Sequence, residues 1–245
     1  MPLPKISTPL FELNLPSSGK SIKYRPFLVK EQKILLLAME GDDAKAINNA
    51  IKQIITNCST DEIDVDKLPT FDLEYVFTKL RAKSIGENVD LKMRHPNSKN
   101  KKGEECTGET LVKVDLMTLE VSKGDGHTDT IVLDEETGIG VKMRYPTLTN
   151  DMQFSGDETE LELAAMSIGN AIEYVFDKEN VYKREDQTLD EINEFIDNLS
   201  QAQFEKLAKF FSTMPKLKQT IKWKCTKCKQ DEEVTVEGMT NFFAF

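Results

Sequence analysis

Ile221-Lys222-Trp223-Lys224-Cys225-Thr226-Lys227-Cys228, followed after two residues by Asp231-Glu232-Glu233-Val234-Thr235-Val236-Glu237-Gly238, is the stretch on which the reading of this chain turns. Alternating apolar positions predict a strand, a tip carrying Cys-x-x-Cys, and a second strand. The chain then ends in Asn241-Phe242-Phe243-Ala244-Phe245. Burying one Phe is worth about 1.5–3 kcal/mol. The terminus is therefore expected to be docked, on its own domain or on a partner. Trp223, Phe242, Phe243 and Phe245 are the candidate partner-binding residues.

Upstream of this hairpin the pattern is helical. Ser200-x-x-Gln203 reads as a capping box before Phe204, Leu207, Phe210 and Phe211, and Met214-Pro215 stops that helix. Thr188-x-x-Glu191 caps a helix carrying Ile192, Phe195, Ile196 and Leu199, and Thr159-x-x-Glu162 caps one expected to run from Leu161 to Phe176. Residues 86–156 read instead as strands. Val89, Leu91 and Met93 alternate, as do Leu111 to Leu116, around a polar connection from Pro96 to Gly103. Ile131–Leu133 and Ile139–Met143 form a further strand pair. Lys92-Met93-Arg94-His95-Pro96 is echoed by Lys142-Met143-Arg144-Tyr145-Pro146, two strand exits stopped by proline. The first 85 residues predict a hairpin (10–15 and 21–25) and three helices: one from Val29, one from about Asp43, and one with Thr70 as its N-cap.

The expected fold class is α+β: helical N-terminal and C-terminal blocks around a strand-rich middle, with a terminal β-hairpin. The elements do not alternate strand and helix, which excludes a doubly wound nucleotide fold. No Gly/Ser/Pro-rich linker divides the chain. Residues 1–245 are therefore read as a single unit with sub-blocks 1–85, 86–156 and 157–245.

The 245 residues carry a net charge of −10, which argues against nucleic acid as the main ligand. Locally, six lysines and no acid lie between Met214 and Asp231. They read as a solvated edge strand guarded by lysine or as a basic patch for an acidic partner. No apolar stretch is long enough to span a bilayer, and the amino terminus lacks a signal-peptide core, so the expected location is the cytosol.

The inventory for catalysis is thin. There are only two histidines, His95 and His127. No nucleophile elbow, phosphate-binding loop or zinc-protease helix motif occurs. Gly138-x-Gly140 lacks a third glycine and leads into a strand. These absences predict a protein that is not an enzyme. Cys225 and Cys228 supply half of a zinc knuckle, which needs four ligands. The other half would come from Cys106, His95, Cys58 or His127. The tip between the strands at 89–94 and 110–116 holds both His95 and Cys106, so the candidate metal ligands are Cys225, Cys228, Cys106 and His95, with zinc as the candidate ion. The alternatives are a turn with free thiols, or a redox pair, which would need a helix N-terminus.

Several blocks resemble the baseplate hub proteins and hub-assembly proteins of T-even-type contractile-tailed bacteriophages. They are Leu15-Pro16-Ser17-Ser18-Gly19-Lys20 with Ile22 to Glu31, Phe71-x-x-Glu74-Tyr75 with Lys79 to Gly86, Phe204 to Lys216, and Val236 to Phe243. The resemblance spans nearly the whole chain in order, and none of its motifs is catalytic. It implies a baseplate hub protein or hub-assembly factor that binds other phage tail proteins non-covalently. It also implies a place in the host cytoplasm during assembly and, for a hub component rather than an assembly helper, in the tail baseplate of the virion. A second class of function is a zinc-ribbon module that binds nucleic acid through the lysine-rich hairpin, with Trp223 stacking on a base. The net charge counts against it.

Overall fold

The computed structural model describes residues 6–41, 43–148 and 159–238. β1 (Phe11–Asn14) and β2 (Ser21–Tyr24) form an antiparallel hairpin. Three helices follow: α1 (Val29–Glu40), α2 (Ala44–Cys58) and α3 (Thr70–Ser84). Asp43 caps α2 by accepting from the Lys45 N–H at 2.9 Å. Thr70 is not a cap, as the sequence had suggested; Pro69 holds that position and Thr70 opens the helix. β3 (Asn88–Arg94) pairs antiparallel with β4 (Glu109–Asp115), and a short β5 (Glu120–Ser122) follows. Next come β6 (Thr130–Val132), β7 (Gly140–Met143), α4 (Glu160–Ala171), β8 (Ile172–Phe176) and β9 (Val181–Lys183). The chain closes with α5 (Leu189–Asp197), α6 (Gln201–Thr213), β10 (Lys216–Lys224) and β11 (Asp231–Glu237). The fold is α+β.

One predicted helix is shorter than expected. The segment read as helical to Phe176 leaves the helix at Ala171 and continues as β8. Ile172, Tyr174 and Val175 are β-branched or aromatic and favour a pleated, half-buried surface. The three capping boxes do form. The Thr159, Thr188 and Ser200 hydroxyls each accept from the backbone N–H three residues on, while Glu162, Glu191 and Gln203 reach back to the cap N–H.

The chain packs as two compact units, residues 1–122 with 216–245, and residues 123–215. In the second unit, β6-β7-β8-β9 form one antiparallel sheet. Val141, Met143 and Ile172 from the sheet bury with Ile168, Ile192, Leu207 and Phe210 from the helices. His127 is held there through both ring nitrogens, by the Thr213 hydroxyl at 3.0 Å and the Tyr145 hydroxyl at 2.9 Å.

The first unit contains the β1-β2 and β3-β4 hairpins and the sheet β11-β10-β5. Its core gathers Val89, Leu91 and Met93 from β3, Val114 from β4, and Leu217, Ile221 and Trp223 from β10. Buried charges brace it. The Lys79 ammonium donates to the carbonyls of Leu116, Met117 and Leu119 at 3.2, 2.6 and 2.9 Å. This satisfies acceptors in the turn after β4 that would otherwise be buried without a donor. Glu31 is fully buried and accepts from Arg25 at 3.0 Å and from the Leu28 N–H at 2.8 Å. Asp72, also fully buried, accepts from the N–H and the hydroxyl of Ser17.

Candidate metal centre

The tips of two hairpins meet in the first unit. β3 ends at Arg94, so His95 begins the loop toward β4, and Cys106 lies near the end of that loop. Pro96 forces the loop away from the strand, and Asn97 and Ser98 both take positive φ, 51° and 57°. Two adjacent non-glycine residues in the left-handed region are costly and persist only where the surroundings fix them. Asn100, itself buried, fixes much of the rest: its side-chain amide oxygen accepts from the N–H groups of Lys102 and Glu104, both at 3.0 Å. The Cys106 N–H then donates to the Ser98 carbonyl at 2.7 Å, which places the Cys106 thiol inside the loop.

The other tip is the turn from Cys225 to Gln230. The Cys225 N–H donates to the Gln230 carbonyl at 2.9 Å, and the Lys229 N–H to the Cys225 carbonyl at 3.0 Å. Lys229 takes φ 61°, which lets so short a turn close. Thr226 ties this tip to β4, donating its hydroxyl to the Glu109 carbonyl at 2.8 Å and its N–H to the Thr110 hydroxyl at 3.0 Å.

His95, Cys106, Cys225 and Cys228 come together where the tips meet, with their ligand atoms all within 4.8 Å of one another. The Cys106 and Cys225 sulfurs are 3.8 Å apart, and the Cys228 sulfur is 3.4 Å from His95 Nε2. The first three residues are buried and Cys228 is half-buried. All four cysteines of the chain are free thiols. Three soft sulfur donors and one imidazole facing a common point form a set that can hold a single metal ion.

The electrostatics suit that use. The backbone N–H of Cys228, then that of Lys227, and the His95 and Cys228 side chains bring the Cys225 thiol down to about 6 against the effect of burial. The Gln230 N–H pulls the Cys228 thiol down, but burial and the sulfurs of Cys225 and Cys106 outweigh it and hold it above its ordinary value. On the far side of the imidazole, His95 Nδ1 is buried 3.3 Å from the Glu232 carboxylate, an ion-pair distance that falls outside hydrogen-bond geometry. Trp223 packs against the same ring in a tilted arrangement, with centroids 5.2 Å apart.

Of the sequence-predicted residues, the four candidate ligands share one place. Cys58 and His127, the other donors considered, are used elsewhere. Cys58 is a core thiol that burial pushes up to about 11, and both His127 ring nitrogens are engaged. Trp223 is 7% exposed, so little of the indole is left for a partner or a base to cover. Phe242, Phe243 and Phe245 lie outside the described residues. Sequence reading missed Glu232 and Gly108. A Cβ on Gly108 would come 2.7 Å from Lys227 Cβ and 2.8 Å from the Cys225 sulfur. A glycine two residues past Cys106 was a visible signal of such close approach, whereas Glu232 looked like any other acid on a strand.

The lysine-rich hairpin is not a bare basic patch. In register, Lys218, Lys222 and Lys224 of β10 face Glu237, Glu233 and Asp231 of β11. Elsewhere, a cavity of about 600 Å³ in the second unit is lined by Arg144, Glu173, Tyr174, Lys183, Arg184 and Glu185. The Arg144 guanidinium there donates to the Asn170 carbonyl, and Lys183 pairs with Glu185.

The sequence model of one protein family, described as T4 bacteriophage base plate protein, matches residues 8–244. The chain belongs to that family of phage tail baseplate proteins. No curated protein and no solved structure shows significant similarity to it. Among the described residues, no helix is long and apolar enough to cross a membrane.

Proposed function

We propose that the protein is a baseplate hub component or hub-assembly factor of a contractile tail, acting by non-covalent binding to other tail proteins. The observation that carries this reading is the family match over 8–244, together with the in-order resemblance of four blocks to hub proteins. The protein works without covalent chemistry, in the host cytoplasm during assembly, and residues 1–245 act together. A bound metal, zinc in our reading, serves it as a structural part. The aromatic terminus, Phe242, Phe243 and Phe245, is one contact with the partner. A second is α1, where Val29, Leu36 and Leu37 are 67, 47 and 69% exposed on one side of the helix. These apolar side chains surround the exposed Lys33, and we assign the mixed patch they form to the partner contact.

Deleting the gene is expected to stop tail assembly, and a plasmid copy to restore it. Infectious particles at the normal yield from the deletion would refute the proposal. Co-expression with single tail proteins and affinity capture then identifies the partner. Leu37→Asp is expected to weaken that capture without altering the melting temperature.

A further inference from the structure

We propose that His95, Cys106, Cys225 and Cys228 bind one zinc ion, a closed structural centre that fastens the β10–β11 tip to the loop between β3 and β4, with Glu232 as the positioning residue for His95. This stands independently of any role in the baseplate.

The donor set argues for zinc. Three thiolates and one imidazole are among the combinations that structural zinc takes, in tetrahedral array. Calcium and magnesium require oxygen donors. Zinc–sulfur bonds of about 2.3 Å and zinc–nitrogen bonds of about 2.0–2.1 Å imply tetrahedral edges of about 3.8 Å between sulfurs and about 3.6 Å between sulfur and nitrogen. The structure gives 3.8 Å from Cys106 to Cys225 and 3.4 Å from Cys228 to His95. Those two edges share no atom and so involve all four donors, whose remaining separations are all within 4.8 Å.

The surroundings are built around the four donors. Glycine at position 108 is the only residue type that lets the backbone just before β4 come so near the Cys225 sulfur. Backbone N–H groups of Lys227 and Cys228 hydrogen-bond the same sulfur, partners of the kind that orient a metal ligand. The left-handed pair Asn97 and Ser98 turns the loop so that Cys106 reaches the tip. All four positions are supplied by the protein, which leaves no open position for a reacting water and makes the site structural.

A zinc ion with three thiolates keeps one net negative charge, and Glu232 adds another. Lys101 faces Glu232 at 3.9 Å, and Lys224, Lys227 and Lys229 flank the tip cysteines. The lysines that looked like a basic patch thus offset the charge of the centre. Glu232, 3.3 Å from His95 Nδ1, stands where such histidines commonly have a carboxylate on their second nitrogen; a small shift on metal binding would bring it into hydrogen-bond geometry and hold the tautomer with Nε2 free for the metal.

The test uses the full chain, produced without a histidine tag and purified without added metal or chelator. Elemental analysis is expected to give close to one zinc per chain. Replacement by cobalt(II) is expected to give the intense visible bands of a tetrahedral thiolate site. Less than about a tenth of an equivalent of zinc, with no tetrahedral cobalt spectrum in a chain that circular dichroism shows to be folded, would overturn the proposal. Cys228→Ser is expected to lose the metal and Cys58→Ala to keep it; the reverse would overturn the ligand assignment. If Cys228→Ser is insoluble, the cobalt spectrum of the unaltered chain decides, because its intensity and charge-transfer bands count thiolates. Glu232→Gln is expected to keep the cobalt spectrum and weaken zinc binding about 10–100-fold in chelator competition. Unchanged affinity would remove Glu232 from its positioning role.

Discussion

Stripping the metal with a chelator should lower the melting temperature of the unit built from residues 1–122 and 216–245 by roughly 8–16 °C. The magnitude follows from linkage. An ion that binds the folded state alone stabilises it by about 4.1 kcal/mol when its free concentration is a thousandfold above Kd. A unit of roughly 150 residues shifts by about 2–4 °C per kcal/mol. Chain entropy gives a similar figure. Cys106 and Cys225 are 119 residues apart, and closing a loop of that length with a permanent cross-link is worth about 5 kcal/mol. Thermal unfolding by circular dichroism measures the shift. Trp223, the one tryptophan of the chain, packs against His95 and supplies a local probe. Its emission should move to the red on chelation, before global unfolding, and return when zinc is restored. If elemental analysis shows the metal gone while melting temperature and emission maximum stay where they were, the clamp reasoning is wrong.

Three further outcomes are expected. Gly108→Ala drives a methyl group against Lys227 Cβ and the Cys225 sulfur; it should cost about 1–3 kcal/mol in urea unfolding, the range for overpacking, and should lower metal content. Lys79→Met leaves three backbone carbonyls without their donor and should cost at least about 1–3 kcal/mol, the penalty for a buried acceptor left unpaired. Burial pushes the Asp72 carboxyl above its ordinary value, although its bonds from Ser17 pull back. A carboxyl whose folded pKa is raised adds stability below its unfolded pKa, near 3.9, and loses it as pH rises through the folded pKa. Asp72→Asn should therefore gain relative to the unaltered protein as pH rises through that window; a difference in melting temperature that does not change with pH would refute the assignment.

What the sequence made legible was whatever announces itself locally. Each capping box pairs residues three apart, and all three formed. The echoed strand exits hold as well: Met93 and Met143 both bury on strands that end within two residues. β8 escaped because Ile168, Ile172, Val175 and Phe176 also satisfy helical spacing, so periodicity cannot separate the two states. β5 and β9 have three residues each, too few to display any period. At the site, Cys225 and Cys228 were visible as a motif. His95 and Cys106 stand out from Cys58 and His127 only if two tips meet, and pairing across more than a hundred residues leaves no local trace. Glu232 was illegible for the same reason, since it matters only through a ring that lies far away in the sequence.

The position of the centre along β10 explains what it contributes beyond four bonds. The second unit is inserted between β5 and β10, so the returning chain must be held to the segment it left. At its start β10 is held by β5 over only three residue pairs, Lys216–Lys218 with Glu120–Ser122. So short a pairing is marginal without other support. Between its ends Leu217, Ile221 and Trp223 anchor one face of β10 in the core, while the lysines of the other face pair with the acids of β11 and add little in water. Without the metal, the distal end would be a turn with one left-handed lysine and buried thiols, held to β4 by the hydrogen bonds of Thr226. A metal at Cys225 and Cys228, tied to His95 and Cys106, places a strong constraint at the end of the strand where pairing with β5 gives none. A protein that works by presenting surfaces to partners depends on that kind of rigidity, since a frayed tip would add an ordering cost to every contact made there.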